Sequence, residues 1–307
     1  MRYKLAALAL FALAALPVAV PWLQFVLTIA IAKGFAALGV AVLLRAGLIS
    51  IGHAMFFAAS AYGVAFLSRA GINDLGAMLL LAVLFAALMG LLVGAFLVRY
   101  RAIFFAMLNL AISMVFYALC AKLYGITGGT DGMGISIPTI FGITLAESTF
   151  KSILFYLALA LMVIVGLALQ LYLDSPLGRA LSAIHTNEIR LEYLGVSVWS
   201  VLLIAYMISA ALAGLGGVIA GFAVGRVVPD FAFWTASGHL VLIAVLGGIG
   251  GVAGAFIGAV FLELLHSMAV TVTDAWNLIV GVALIVVIMF LPSGFYGLLK
   301  RQKAPSL

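Results

Sequence analysis

Long apolar runs, separated by short polar or turn-forming stretches, follow one another along the whole sequence. Since lipid offers no hydrogen-bond partners to the backbone, a span must be helical, and it needs about 20 apolar residues to cross about 30 Å of hydrocarbon. The runs that approach this length lie at 5–20, 22–44, 48–68, 76–98, 103–124, 152–173, 200–224, 236–266 and 275–299. They predict an all-α fold, a polytopic integral membrane helical bundle of about eight spans, with residues 1–307 forming one transmembrane domain.

The run at 236–266 is long for one span and short for two. Four glycines interrupt it: Gly247, Gly248, Gly250 and Gly251. We interpret the run as two segments hinged at this cluster, and the sequence leaves a re-entrant arrangement open. Irregular backbone at membrane depth is tolerated only where protein buries it or where it lines a cavity, and interrupted apolar segments are typical of transport paths. These four residues are therefore candidate gating glycines.

Basic residues near the ends of the spans predict the orientation, because Lys and Arg concentrate in cytoplasmic loops. Placing both termini in the cytoplasm puts the following residues inside: Arg2, Lys4, Arg45, Arg99, Arg101, Arg179, Arg190, Lys300, Arg301 and Lys303. The loop at 125–150 then falls outside. Residues 1–20 also fit a cleaved signal peptide, which has basic residues before a short apolar stretch, and the sequence leaves open whether they are retained.

The amino-acid composition excludes several classes of protein. Of the 307 residues, 67% are hydrophobic and 8% are charged, whereas about 25% of the residues in soluble domains are charged. A soluble enzyme and a nucleic-acid-binding protein are therefore excluded, and we interpret the net charge of +6 as charge in cytoplasmic loops. The single cysteine, Cys120, rules out an intrachain disulfide and argues against a thiolate metal cluster.

Sequence signatures of catalysis are missing from the chain. No Gly-Lys dipeptide occurs, so there is no phosphate-binding loop of the Walker A type, and any ATP would have to be used by another chain. The four histidines lie far apart in the sequence, and neither a zinc-protease nor a serine-hydrolase motif is present. Nearly charge-free spans favour moving a solute over transforming one, and we expect no enzymatic activity, cofactor or metal on this chain.

The polar segment at 174–199 has the features of a short amphipathic helix. Ser175 is a favourable N-cap, Pro176 suits the first helical position, and Gly195 suits the end. Apolar residues recur between them at near-helical spacing: Leu177, Leu181, Ile184, Leu191 and Leu194. Two interpretations fit these residues equally well. The helix is either a connector that is solvated or lies on lipid, or it docks a soluble partner in the cytoplasm.

Polar side chains inside the predicted spans are candidates for a solute path. Lys33 lies near the centre of the 22–44 run, where a charge usually faces the bundle interior or water. It either contacts solute or pairs with a neighbouring helix. Asn109 and Ser113, one helical turn apart, either line a path or form hydrogen bonds between helices. His53, near the start of a span, either caps or packs a helix or reaches the path.

Three pairs of glycines are spaced by four residues. They are Gly217 with Gly221, Gly247 with Gly251, and Gly254 with Gly258. Small residues at this spacing let two helices approach closely. We expect close helix packing at these positions, and the alternative is that they let helices shift during gating.

Five short stretches of the chain read SIGHAMFF at 50–57, TGGTDG at 127–132, GRAL to EYLGV across 178–196, VLGGIGG at 245–251 and LPSGF at 291–295. Taken in this order and spacing, they resemble the inner-membrane permease subunits of branched-chain amino-acid ABC importers, the LivM-like type. The resemblance extends over nearly the whole chain. Each motif alone is weak, and the resemblance depends on their common order over this length.

The resemblance implies that the chain is one half of a heterodimeric pore in the bacterial inner membrane. A homologous second permease subunit, two cytoplasmic ATPase subunits that hold ATP and Mg, and a periplasmic solute-binding protein would complete the importer. The segment at 174–199 would be its cytoplasmic coupling loop, with these residues in the coupling region: Gly178, Arg179, Glu188, Glu192 and Gly195. Such importers move branched-chain or related amino acids, and we expect transport by alternating access.

The candidate translocation path departs from the family pattern at two positions. Its residues are Lys33, His53, Asn109, Ser113 and His239. An amide is common in the family where Lys33 stands, and an acidic residue is common near His239. Both differences make the path more basic and favour a solute that bears a carboxylate. The alternative function is a stand-alone secondary transporter, which needs a coupling carboxylate in mid-membrane, and Glu263 is the one good candidate.

Overall fold

A computed structural model describes residues 20–140, 142–272, 275–291 and 294–300. The helices are α1 (Pro21–Leu44), α2 (His53–Arg69), α3 (Leu75–Leu97), α4 (Ala102–Lys122), α5 (Tyr124–Thr127), α6 (Glu147–Asp174), α7 (Pro176–Tyr193), α8 (Val198–Val224), α9 (Trp234–Gly247), α10 (Val252–Val272), α11 (Trp276–Phe290) and α12 (Gly294–Lys300). Two short strands, β1 (Met133–Gly134) and β2 (Arg226–Val227), and two 3-10 turns, Gly129–Asp131 and Pro229–Ala232, accompany them. Most of the predicted span at 5–20, and the basic residues beyond Lys300, lie outside the described residues.

Six of the described helices are long and apolar enough to cross a membrane: α1, α3, α4, α6, α8 and α10. Helices α9 and α11 are apolar but shorter. The all-α membrane bundle that the hydrophobic pattern predicts is therefore confirmed. The chain is a multi-pass membrane protein.

Helix α8 forms the centre of the bundle. It packs along α1, α2 and α3, and most of its residues are buried. Helix α1 is enclosed in the same way, whereas α3, α4 and α6 leave most of their surface uncovered. The uncovered surface carries large apolar side chains such as Leu84, Leu92 and Phe104. Such faces suit contact with hydrocarbon, because lipid does not penalise exposed apolar groups.

Glycines on α8 allow its backbone to approach its neighbours. A Cβ atom at Gly217 would collide with the carbonyl oxygen of Phe57 on α2, and one at Gly216 would collide with that of Ala32 on α1. Gly221 lies against Ala61, one turn further along the same contact. The four-residue glycine spacing thus produces the close helix packing that the sequence predicts.

The long run at 236–266 divides at the glycine cluster, as the sequence predicts. Helix α9 ends at Gly247 and α10 begins at Val252. Between them, Gly248 has a φ of +89°, a conformation that glycine adopts at little cost. The two helices form an antiparallel hairpin with a tight connection.

Direct glycine contacts hold this hairpin together. Neither Gly254 nor Gly258 leaves room for a Cβ atom, because the backbone of Gly247 lies against both. The ring of Tyr296 on α12 covers Gly250 and Gly251. All four candidate gating glycines therefore lie at the connection between α9 and α10, next to α12.

Two predicted spans differ from the observed helices. The run at 48–68 becomes helical only at His53, because residues 45–52 form a turn, with Gly47 at a φ of +75°, followed by irregular chain. The run at 275–299 is not one helix, since α11 ends at Phe290 and α12 begins at Gly294. A proline at 292 disfavours the helical conformation at Leu291 before it.

A methyl group at Gly217 should loosen the packing of α8 on α2. We expect Gly217→Ala to lower the free energy of unfolding by about 1–3 kcal/mol, the usual cost of overpacking, because the clash is with backbone. Thermal unfolding in detergent measures the effect. Gly281→Ala is the matched control, since no atom lies within 4 Å of a Cβ at Gly281. Equal unfolding midpoints for the two variants would contradict the close contact.

Candidate functional site

A directional chain of hydrogen bonds joins four helices in the interior of the bundle. Its side chains are fully buried. From donor to acceptor it runs from Tyr206 to Asn109 (3.3 Å), to Ser50 (2.7 Å), to His53 (2.5 Å), to Ser209 and to the carbonyl of Gly39 (2.6 Å). The chain connects α8, α4, α2 and α1, and it passes through the segment that precedes α2.

The ends of this chain determine the protonation of His53. The carbonyl of Gly39 only accepts, so Ser209 donates its proton there and accepts one from Nε2 of His53. At the other end, Asn109 donates to Ser50, whose own proton then points to Nδ1 of His53. His53 is therefore neutral, and both of its ring nitrogens are satisfied, as a low-dielectric interior requires.

Ser113 makes a separate contact one turn further along α4. Its hydroxyl donates to the carbonyl of Ala232 at 3.3 Å, and both residues are fully buried. His53, Asn109 and Ser113 thus form hydrogen bonds between elements of the bundle rather than face an opening in this conformation. Their place on a solute path stays a prediction.

Lys33 and His239 belong to a second polar cluster, halfway along their helices. The Nζ atom of Lys33 lies 2.6 Å from Oε2 of Glu263 on α10. One turn along α10, Nδ1 of His266 lies 3.9 Å from the other carboxylate oxygen. His239 on α9 is close enough to interact electrostatically with these charges. Lys33 therefore pairs with a neighbouring helix, one of the two interpretations that the sequence left open.

Sequence reasoning missed several members of these clusters. It noted Glu263 as a coupling carboxylate but not as the partner of Lys33, and it did not single out His266, Tyr206 or Ser209. A signal for His266 was present, because residues three apart share a helix face. Among the described residues, no group of three or more His, Cys, Asp or Glu side chains could hold a metal ion.

The polar segment at 174–199 folds as helix α7, with the predicted ends. Ser175 is the N-cap, and its hydroxyl accepts a hydrogen bond from the N–H of Gly178 at 3.4 Å. Pro176 occupies the first helical position. Just beyond the helix, Gly195 has a φ of +79°, a conformation that favours glycine. Gly178 itself packs on the backbone of Leu173 so closely that no side chain would fit.

The predicted amphipathic helix is present, but a kink interrupts it. The backbone of Asn187 is extended and divides α7 into two pieces, and its side chain caps the second piece by accepting from the N–H of Arg190 at 3.0 Å. Three of the predicted apolar residues are buried: Leu181, Ile184 and Leu191. The other two, Leu177 and Leu194, are exposed. The apolar face is therefore shorter than the spacing predicts.

Two contacts tie α7 to the ends of the spans. The Nε atom of Arg101, directly before α4, lies 2.7 Å from a carboxylate oxygen of Glu188. The ring of His185 packs against Gly47, in the turn that follows α1, and leaves no room there for a Cβ atom. Because α7 also packs on α6 and α8, a displacement of α7 acts on several helices at once.

The outward surface of α7 combines charged and apolar groups. Arg179 and Glu192 are exposed. Ile189, Tyr193 and Leu194 form an apolar end, with exposed fractions of 61%, 89% and 73%. Exposed apolar groups that cluster on a polar helix mark a contact surface.

Loops at the opposite ends of the spans form an ordered surface. Strands β1 and β2 pair in antiparallel fashion, with Met133 opposite Val227. The TGGTDG run turns beside them through glycines with positive φ, and a Cβ atom at Gly132 would collide with the carbonyl of Val227. The turn Pro229–Ala232 packs on α2 and α4. The segments at 125–150 and 225–235 are therefore connected with each other and with the bundle.

Removal of Asn109 should break the buried hydrogen-bond chain. We expect Asn109→Leu to lower the free energy of unfolding by about 1–3 kcal/mol for each partner left unsatisfied, since Ser50 loses a donor and Tyr206 loses an acceptor. Ser113→Ala, which removes one longer hydrogen bond on the same helix, is the matched control and should cost less. Thermal unfolding in detergent compares the two. A larger loss for Ser113→Ala would disprove the role given to the chain.

Residues 22–289 match the protein family described as branched-chain amino acid transport system, permease component. The high-affinity branched-chain amino acid transport system permease protein LivM of Salmonella typhimurium is 28% identical over 83% of this chain and 65% of its own length. The corresponding protein LivH of Escherichia coli is 31% identical over 43% of this chain and 43% of its own length. The permease protein BraD of Pseudomonas aeruginosa is 28% identical over 54% of this chain and 57% of its own length.

The similarity covers part of the length of each relative. The chain spans 65% of the length of the LivM proteins of Salmonella typhimurium and Escherichia coli. No solved structure matches it significantly. The family match nevertheless extends from α1 into α11, over most of the chain. The chain therefore belongs to the family of permease components of branched-chain amino acid transport systems, which are parts of transporters and not enzymes.

Proposed function

We propose that this chain is a transmembrane permease subunit of an ATP-binding-cassette importer that moves branched-chain or related amino acids across the bacterial inner membrane. The observation that carries the proposal is α7, an anchored polar helix with an exposed apolar end, in a member of this family that has no phosphate-binding loop. Such a chain would transmit a conformational change from α7 to its spans, but it has no means of its own to hydrolyse ATP.

The conformational change would pass from α7 to the spans through the contacts that anchor α7. The buried face of α7 packs on α6 and α8, and the Arg101–Glu188 ion pair leads to α4. His185 leads to the turn at Gly47. Because α8 contacts α1, α2 and α3 along its length, a movement at its end would reorient much of the bundle, as alternating access requires.

The apolar end of α7 is the proposed contact with an ATPase subunit. Ile189, Tyr193 and Leu194 would enter the partner, and the exposed Arg179 and Glu192 would lie beside it. Two such ATPase subunits, one for each permease subunit, would bind ATP and Mg. This division of labour places nucleotide chemistry entirely on the partner chains, so the permease chain itself would need no cofactor.

The ordered surface at 125–150 and 225–235 is the proposed dock for a periplasmic solute-binding protein. A permease that receives solute from such a protein needs little affinity of its own, which agrees with the scarcity of charges in the spans. The other half of the pore would be a homologous permease subunit. Separate permease proteins named LivM and LivH in Escherichia coli support this pairing.

The chain would have a defined orientation in the membrane and a hinge. Both termini would lie in the cytoplasm, because this arrangement puts α7 on the ATPase side and the loop at 125–150 outside. The connection between α9 and α10 would bend during gating. Its glycines Gly247, Gly248, Gly250 and Gly251 have no side chains to resist a change in backbone conformation.

A stand-alone secondary transporter is the less well supported alternative. Such a protein needs a mid-membrane carboxylate that binds and releases a coupling ion. Glu263 is the candidate, and its carboxylate lies 2.6 Å from the ammonium group of Lys33. An ion pair of this kind competes with a coupling ion for the carboxylate, so the importer is the better interpretation.

The chain alone should move no solute uphill in liposomes, because it has no source of energy. With the second permease subunit, the ATPases and the loaded solute-binding protein, we expect ATP-dependent accumulation of a radiolabelled branched-chain amino acid. A complex whose ATPases are catalytically inactive is the control. Concentrative uptake by the lone chain would overturn the proposed function.

A charge on the apolar end of α7 should detach the ATPases. We expect Ile189→Asp to abolish co-purification of the permease with its ATPase subunits, since the carboxylate would have to be desolvated in the contact. Ile143→Asp is the matched control, because Ile143 is exposed to a similar extent, 64% against 61%, and lies before α6, on the opposite side of the membrane. Undiminished co-purification with Ile189→Asp would remove α7 as the contact.

A further inference from the structure

Lys33 and Glu263 form an ion pair at the level of the membrane centre. Lys33 lies midway along α1 (Pro21–Leu44), Glu263 lies midway along α10 (Val252–Val272), and the two helices pack against each other. The nitrogen of one side chain lies 2.6 Å from an oxygen of the other. The pair has no net charge, and it presents a cation and an anion side by side.

Lys33 reaches the surface where α1 is otherwise enclosed. Every other residue from Val26 to Leu43 is buried, whereas 30% of the Lys33 side chain and 33% of the His266 side chain are exposed. A Lys side chain that faces lipid at this depth is unfavourable, and such residues usually face the bundle interior or water. Since uncovered mid-span residues elsewhere are apolar, as at Leu84, the face around Lys33 is one that protein or water covers in the assembled transporter.

We propose that the Lys33–Glu263 pair is the mid-membrane contact for the zwitterionic head group of the transported amino acid. Lys33 receives the carboxylate of the solute, and Glu263 receives its ammonium group. The inference rests on the proposed function, because it assigns two side chains of this chain to the solute path of that importer.

The charge count favours a zwitterion over other solutes. Leaving one partner of a largely enclosed ion pair alone is strongly destabilising. A plain carboxylate would pair with Lys33 and take from Glu263 its nearest cation, the ammonium group at 2.6 Å, and a plain amine would do the reverse. An α-amino acid brings both charges and replaces both partners at once. Lys33 and His239 alone would favour any solute that bears a carboxylate. With Glu263 beside them, the cluster favours a solute that bears both a carboxylate and an ammonium group.

The double variant Lys33→Met/Glu263→Met separates a solute contact from a merely structural ion pair. Replacing both partners of an ion pair by apolar residues of similar size is often neutral for stability, so this variant should assemble. We expect the reconstituted importer to lose uptake of a branched-chain amino acid at least about tenfold, because two charge-assisted hydrogen bonds to the solute are gone. Co-purification of all subunits and the thermal midpoint report assembly independently of uptake.

The outcomes distinguish this inference from the proposed function. If the wild-type importer does not accumulate amino acid, the proposed function fails. If the wild type accumulates it and the assembled double variant does so equally well, the ion pair is structural, and only the inference is overturned.

A labelling experiment tests the same face even if the double variant does not assemble. In a Cys120→Ala background, a cysteine is placed at position 33 by Lys33→Cys together with Glu263→Gln, so that no carboxylate is left unpaired. Water-soluble methanethiosulfonate reagents should modify this thiol in the reconstituted importer, because thiols react as thiolates in water. Leu84→Cys, on a face that contacts lipid, is the control and should stay unmodified. Equal protection of the two thiols, with and without ATP, would refute a wet face at Lys33.

Discussion

The bundle depends on close backbone contact between α8 and its neighbours. In lipid, helices gain little from hiding apolar surface, so close packing and interhelical hydrogen bonds must hold them together. Gly216 and Gly217 supply the packing, because their missing side chains let α8 touch the carbonyls of α1 and α2. On the same helix, Ser209 donates to the carbonyl of Gly39 on α1, and Tyr206 donates to Asn109 on α4. Glycine contacts and buried hydrogen bonds together therefore hold α8 at the centre of the bundle.

The membrane sorts the polar groups of this chain into a few places, each with a different physical solution. Uncharged groups such as His53 lie in the interior, where neighbours satisfy their donors and acceptors. The charges of Lys33 and Glu263 offset each other at mid-membrane. Most other described charged residues, including those of α7, lie at the ends of the spans. Only the mid-membrane ion pair and the charged residues at the ends of the spans are accessible enough to meet a solute or a partner protein.

This distribution agrees with a transporter whose tasks are divided among subunits. Energy would enter at α7, which is tied to α4, α6 and α8 and has no nucleotide chemistry of its own. Solute would enter from the ordered surface around β1 and β2. The ion pair lies between these ends, on a helix that contacts the central α8. The core around α8 thus connects α7 and the ordered surface around β1 and β2 to the proposed solute contact.

Local sequence determined the six long apolar helices of the described residues, the division at Gly247–Gly251 and both ends of α7. These features depend on neighbouring residues: apolar length, backbone freedom at glycine and a serine cap before a proline. The tertiary structure alone decided that Lys33 meets Glu263, 230 positions away, that His53 joins a chain ending at Gly39, and that Asn187 interrupts α7. For the contacts between the spans, the physical reason is that the spans are apolar nearly all round. With no amphipathic stripe, a helix does not reveal from its sequence which face meets which neighbour.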